Sequence, residues 1–145
     1  MTPTPVAEAE APLISLADFQ SLLATQHPFS LVLGIEVLYV GRGAARAVLP
    51  ARDTHQRLGG IVAGPMLMGL ADLALYAAVV GATGQPQAVT ASLTVNFMRK
   101  GVGTILADAR ILKTGRLCTG EVTLTAEGSD EPVAHAVSTW SVPRA

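Results

Sequence analysis

The sequence predicts an α+β fold in which a curved antiparallel sheet, of about six strands, wraps around one long buried helix. Three observations carry this expectation. Between positions 58 and 98 the only formally charged side chain is Asp72. It stands inside the run PMLMGLADLALYAAVVGATG, which begins at Pro65 and is apolar around its whole circumference; a helix of that kind belongs at the centre of a fold rather than on its surface. Beyond this run the apolar period changes to two. Val89, Ala91, Leu93, Val95 and Phe97 alternate with Thr90, Ser92, Thr94 and Asn96, as in a half-buried strand.

The elements follow in order. The opening MTPTPVAEAEAP reads as a disordered lead over 1–12, lacking the basic start and apolar core of a signal peptide, ahead of a single domain over 13–145. Ser15 caps a short helix over 16–26 that carries Phe19, Leu22 and Leu23 on one side. The helix stops at His27, because the residue before Pro28 is pushed out of the helical region. Two β-rich stretches follow, over 31–40 and 44–49, joined by the Gly41-Arg42-Gly43 turn. A loop over 50–63 contains Asp53, His55, Arg57 and Gly59-Gly60. The central helix is expected over 65–81, with proline in its first turn and Gly81 and Gly84 at its end. Four strands complete the chain over 88–98, 104–112, 117–125 and 132–142, with turns at 113–116 and 127–131. An antiparallel sheet curled over one apolar helix buries this order of elements economically.

Composition narrows the function. Half of the 145 residues are apolar, 14% are charged and the formal net charge is −1, which describes a globular chain without the basic patch that nucleic acid requires. Cys118 is the only cysteine, so there is neither an internal disulfide framework nor a cysteine cluster for zinc, and a reducing cytoplasm suits the chain. The apolar run is long enough to raise the question of a membrane span. Its central aspartate, its Gly-Pro opening and the lack of a basic flank argue for a buried core helix instead.

The chemistry centres on Asp72. A carboxylate taken out of water costs several kcal/mol, roughly, unless donors meet it, so a lone acid on a core helix is a catalytic candidate. At the start of the same helix, the N–H groups around Gly64 are unpaired and favour a negatively charged oxygen. Asp72 lies about two turns, roughly 10 Å, further along. A carbonyl held at Gly64 and reached by Asp72 from a partner surface would have an oxyanion site and a base. Thr90 opens the following strand and is placed to orient water or bond the Asp72 carboxylate. Of the three histidines, His55 is the one able to approach the helix start, although a solvated loop is its default setting. None has metal-ligand spacing, and neither a metal nor a cofactor is expected. Cys118 reads as packing. Arg99-Lys100 and Lys113/Arg116 put positive charge at strand ends, where a phosphate-bearing ligand could use it.

GGIVAGPMLMGLADLALYAAV, AVTASLTVNFMRK, ARILKTGRLCTGEVTL and PVAHAVSTW together resemble the hotdog-fold thioesterases of the PaaI type, from about Leu31 onward. That family carries N-x-x-G-x-x-H-G-G, then a helix with L-A-D, then a strand beginning V-T or V-S. Gly60, Gly64, Leu70-Ala71-Asp72 and Val89-Thr90 fall in register with it. The chain has Arg57 where the family has asparagine, Ala63 where it has histidine and Pro65 where it has the second glycine. The resemblance implies an acyl-CoA thioesterase in which Asp72 is base or nucleophile, the Gly64 N–H polarises the carbonyl and Thr90 helps position water. It implies substrate contacts at Arg57, Gly60, Ala63 and Pro65, with Arg99, Lys100 and Arg116 toward the coenzyme A, and a homodimer or dimer of dimers whose sites form between protomers. Two alternatives stay open: a non-catalytic acyl-CoA binding or sensor module, suggested by Ala63, and a hotdog dehydratase that would use His55.

Overall fold

The structure, a computed structural model, describes residues 10–144. Of the expected lead, residues 1–9 lie outside the described ones, while Arg42 Nε donates to the Ala11 carbonyl at 2.8 Å. Helix α1 (Leu16–Gln26) starts where Ser15 Oγ accepts the Asp18 N–H, and it buries Phe19 and Leu23. The chain then departs from the sequence expectation. The β-rich stretch read from position 31 is, in its first part, the end of a short helix α2 (Pro28–Leu33). Pro28 costs a first helical turn nothing, Ser30 Oγ donates to the His27 carbonyl at 2.8 Å, and Gly34 closes the helix at φ 72°. Only then does β1 (Glu36–Gly41) begin, followed by β2 (Ala44–Leu49).

The segment read as a loop is ordered by a turn of 3₁₀ helix, Asp53–His55, and a small hairpin of β3 (Gln56–Arg57) and β4 (Ile61–Val62). Its connection needs two residues in the left-handed region, and Gly59 and Gly60 supply φ 90° and 72°. Then come α3 (Gly64–Thr83), β5 (Val89–Phe97), β6 (Ile105–Lys113), β7 (Leu117–Ala126) and β8 (Pro132–Ser141). The large sheet has six antiparallel strands in the order β1-β2-β6-β7-β8-β5, and β3-β4 forms a separate ladder.

Helix α3 lies in the curl of this sheet. The side chains facing it are small: Ala45, Ala47, Ala107, Ala109, Ala134 and Ala136 are all buried, as are Ala71, Ala74, Ala77 and Ala78 on the helix. A Cβ at Gly81 would overlap the Gly41 carbonyl oxygen, and one at Gly120 would come within 3.0 Å of Leu75. Small residues on both partners therefore let helix and sheet approach closely. Although α3 is long and apolar enough to cross a bilayer, it is the core helix of this fold.

Two features of β5 position the site. Thr90 pairs with Trp140 and Ser92 with Thr139, so Ala91 is an extra residue bulged out of the ladder. Strict alternation would put Thr90 and Leu93 on opposite faces; the bulge turns both inward. Strand β5 is also a sheet edge with most of its residues exposed on both faces. The other edge, β1, packs beside α1, where Gln20 Nε2 donates to the Val37 carbonyl at 3.0 Å.

Candidate active site

Asp72 lies in the middle of α3 and is half-buried. Thr90 Oγ1, turned inward by the bulge, donates to Asp72 Oδ1 at 2.6 Å. Burial raises the Asp72 carboxyl above the ordinary aspartate range, and the Thr90 hydrogen bond opposes that rise. The carboxylate thus keeps one oxygen held and basicity above that of a solvated aspartate. It forms part of the wall of a cavity of about 370 Å³ that lies beneath α2.

The start of α3 is built differently. Ala63 is its N-cap and offers no side-chain bond, its N–H instead donating to the His55 carbonyl at 2.9 Å. Pro65 has no N–H, and both Met66 and Leu67 donate to the Ala63 carbonyl. Among the described residues this leaves Gly64 as the N–H of that turn without a bonded acceptor. The Phe97 ring lies beside Gly64, 3.6 Å from where a Cβ would be.

The other sequence candidates fall into two groups. Val62 N–H donates to the Gly101 carbonyl at 2.8 Å, which brings the β3-β4 hairpin, with Arg57 and Gly60, beside the segment carrying Arg99 and Lys100. All four are exposed, and Arg99 is paired with Glu131 at 3.2 Å. Arg116 is at the far end of the sheet, where its carbonyl accepts from Val142, next to the Leu117–Ser141–Val89 pairing. His55 is buried rather than solvated, at 6% exposure, and its Nδ1 has no partner among the described residues. Its carbonyl, not its ring, is what binds the helix start.

Sequence reading missed the cavity's aromatic wall. Tyr76 and Trp140 line it with His27, at ring separations of 5.1 Å for His27–Tyr76 and 5.8 Å for Tyr76–Trp140. The four-residue step from Asp72 to Tyr76, which puts both on one helix face, was the available signal. A larger groove of about 1140 Å³ runs over the outer side of the sheet past Tyr39, Arg46 and Asp108, but Asp72 is not in its wall. Arg46 and Asp108 are paired there at 2.7 Å. The helix-bound carboxylate and the larger groove are thus separate features of the molecule.

A curved antiparallel sheet of six strands around one long helix is the hotdog fold. The sequence profile of the thioesterase superfamily matches residues 59–133, and the chain belongs to that superfamily. A candidate thioesterase from Silicibacter sp. TM1040 is 32% identical, with 92% of this chain and 94% of that one covered at a TM-score of 0.80. A variant of the phenylacetic acid degradation protein PaaI from Thermus thermophilus is 29% identical, covering 80% of this chain and 99% of that one at a TM-score of 0.71. A candidate esterase of Saccharolobus solfataricus is 26% identical over 134 residues, 92% of this chain and 89% of its own length. Thioester hydrolysis is the activity class that goes with this membership.

Proposed function

We propose that the protein hydrolyses acyl-CoA thioesters with Asp72 as the group that activates water. The observation that carries this reading is the carboxylate itself: half-buried, raised in pKa and bonded on one oxygen by Thr90 at the wall of an apolar cavity. The free oxygen takes a proton from water as the water oxygen bonds to the thioester carbon. The resulting oxyanion is held by a Gly64 N–H, an interaction whose loss typically costs roughly 10²–10³ in rate. Collapse expels the coenzyme A sulfur, which takes the proton back, leaving the free acid. Direct attack by Asp72, giving an anhydride that water then opens, uses the same residues.

The two halves of this site are separated within one chain. Asp72 and Gly64 are eight residues apart on one helix, about 12 Å along its axis. Arg116 stands near the Val89 end of β5, and Arg99 and Lys100 follow its Phe97 end; its nine residues span about 27 Å. A second copy added antiparallel along the open β5 edge would bring Asp72, Thr90 and Arg116 of one protomer toward Gly64, Arg99 and Lys100 of the other. The exposure of Val89, Phe97 and Met98 along that edge supports such a dimer.

The test is release of free thiol from short, long and aromatic acyl-CoAs. The parent should turn over at least one, and Asp72→Asn, nearly isosteric, should abolish turnover while the protein stays folded. Retained activity in that variant would sink the assignment. Ala63, which cannot cap or orient a substrate, favours one second reading, a binding module, and saturable acyl-CoA binding without thiol release would establish it.

A further inference from the structure

The cavity beside Asp72 is walled mainly by α2, α3 and β8, and their chemistry limits what can occupy it. Gly69, Asp72 and Tyr76 come from one face of α3, Phe29 and Leu33 from α2 above it, and Trp140 from β8. The far wall is fixed. Tyr76 Oη donates to the Pro86 carbonyl at 2.6 Å and lies 3.1 Å from His27 Nε2. A carbonyl only accepts and a phenol has one proton, so His27 Nε2–H must donate to Tyr76. The Trp140 N–H is likewise taken by Ser138 Oγ at 2.8 Å. Each of these polar atoms is satisfied inside the wall, and Tyr76 and Trp140 are only 6% and 2% exposed, so this end of the cavity is closed.

The ceiling is set by a missing side chain. A Cβ at Gly69 would stand 3.1 Å from Leu33 Cδ1, so glycine there lets α2 come down onto α3. A cavity of about 370 Å³ is at the small end of ligand sites. At about 30 Å³ per water-sized group, it holds roughly ten non-hydrogen atoms once imperfect filling is allowed.

We propose that this cavity receives the acyl group and restricts the substrate to compact apolar acyl chains, with Tyr76 as the end stop and Leu33 over Gly69 as the ceiling. The inference rests on the reading of Asp72 as the group that acts on the thioester. Behind Tyr76 the hydrogen-bonded wall leaves no channel into which a longer chain could extend.

Trp140 is the sole tryptophan, so its fluorescence reports cavity occupancy without turnover. Asp72→Asn protein, titrated with butyryl-, octanoyl- and palmitoyl-CoA below the micellar range, should give a saturable change with the first two and none with palmitoyl-CoA. In the parent, kcat/KM should fall at least tenfold from octanoyl- to palmitoyl-CoA. Leu33→Ala should raise the octanoyl- and decanoyl-to-butyryl ratios severalfold. Gly69→Ala, whose Cβ would meet Leu33 and hold α2 off α3, should raise them as well. Turnover with a flat chain-length profile that neither variant moves would overturn the cavity assignment and leave the thioesterase reading intact. Absence of turnover together with the expected fluorescence response would overturn the enzyme and keep the cavity as a binding site. Absence of both would overturn both.

Discussion

At the scale of the residue, Asp72 is held in two opposing ways. Burial favours its protonated form and Thr90 favours its carboxylate, with burial the larger influence. Its folded pKa is therefore above the unfolded one. Such a group lends stability below the unfolded pKa, and that contribution is lost as pH rises through the folded value. Asp72→Asn should accordingly melt higher than the parent at neutral pH, by an increment that shrinks as pH falls into the ordinary carboxylate range. Calorimetry across that range checks it. Turnover needs the carboxylate, so its acid limb should lie above the ordinary aspartate range. Thr90→Val removes the bond that favours ionisation. The limb of the kcat/KM profile should then move to higher pH, and a limb that stays in place or moves down would show that Thr90 does not act on Asp72. Asp72 was legible because it is a lone charge in a long apolar run, whereas nothing in the sequence around His55 betrayed its burial.

Among elements, α1, α3 and the long strands could be read from the periodicity of their apolar residues, even in β5, whose residues are mostly exposed. Helix α2 could not. Leu31, Val32 and Phe29 are apolar and face outward, with Ser30 buried, so the segment inverts the pattern that usually marks a helix. Pro28 and Gly34 at its ends set its conformation instead. The β5 bulge was hidden for a related reason: the alternation of Val89 to Phe97 looks unbroken, and only pairing with β8 reveals the slip. This slip makes an unusual prediction. Deleting one residue from a strand normally turns everything before it to the other face. Deleting Ala91 should leave Thr90 opposite Trp140, because Ala91 is the residue without a counterpart. Turnover should persist within about tenfold, whereas deletion of Leu93 should abolish it. Activity of the two purified variants, with circular dichroism as a check on folding, decides the matter.

On the scale of the whole molecule, the site proposed above needs two copies of the chain. The order of elements disclosed the fold, and the motif at the helix start and the acid on the helix singled out the residues of the proposed site. Their separation along α3 was legible too, as a distance, and the resemblance supplied the expectation that a second protomer spans it. Complementation tests the proposed division. Asp72→Asn and Gly64→Val, which fills the slot over the N–H, should each be inactive alone. Mixed after dissociation, they should recover about a quarter of parental turnover, since half the dimers are mixed and each has one intact site of two. No recovery from a confirmed mixture would place both halves within one chain. The open β5 edge has a kinetic counterpart. When the catalytic unit is an association of two copies, its amount follows the square of the free chain concentration once the protein is dilute, so specific activity is no constant of the enzyme and decays on dilution toward zero.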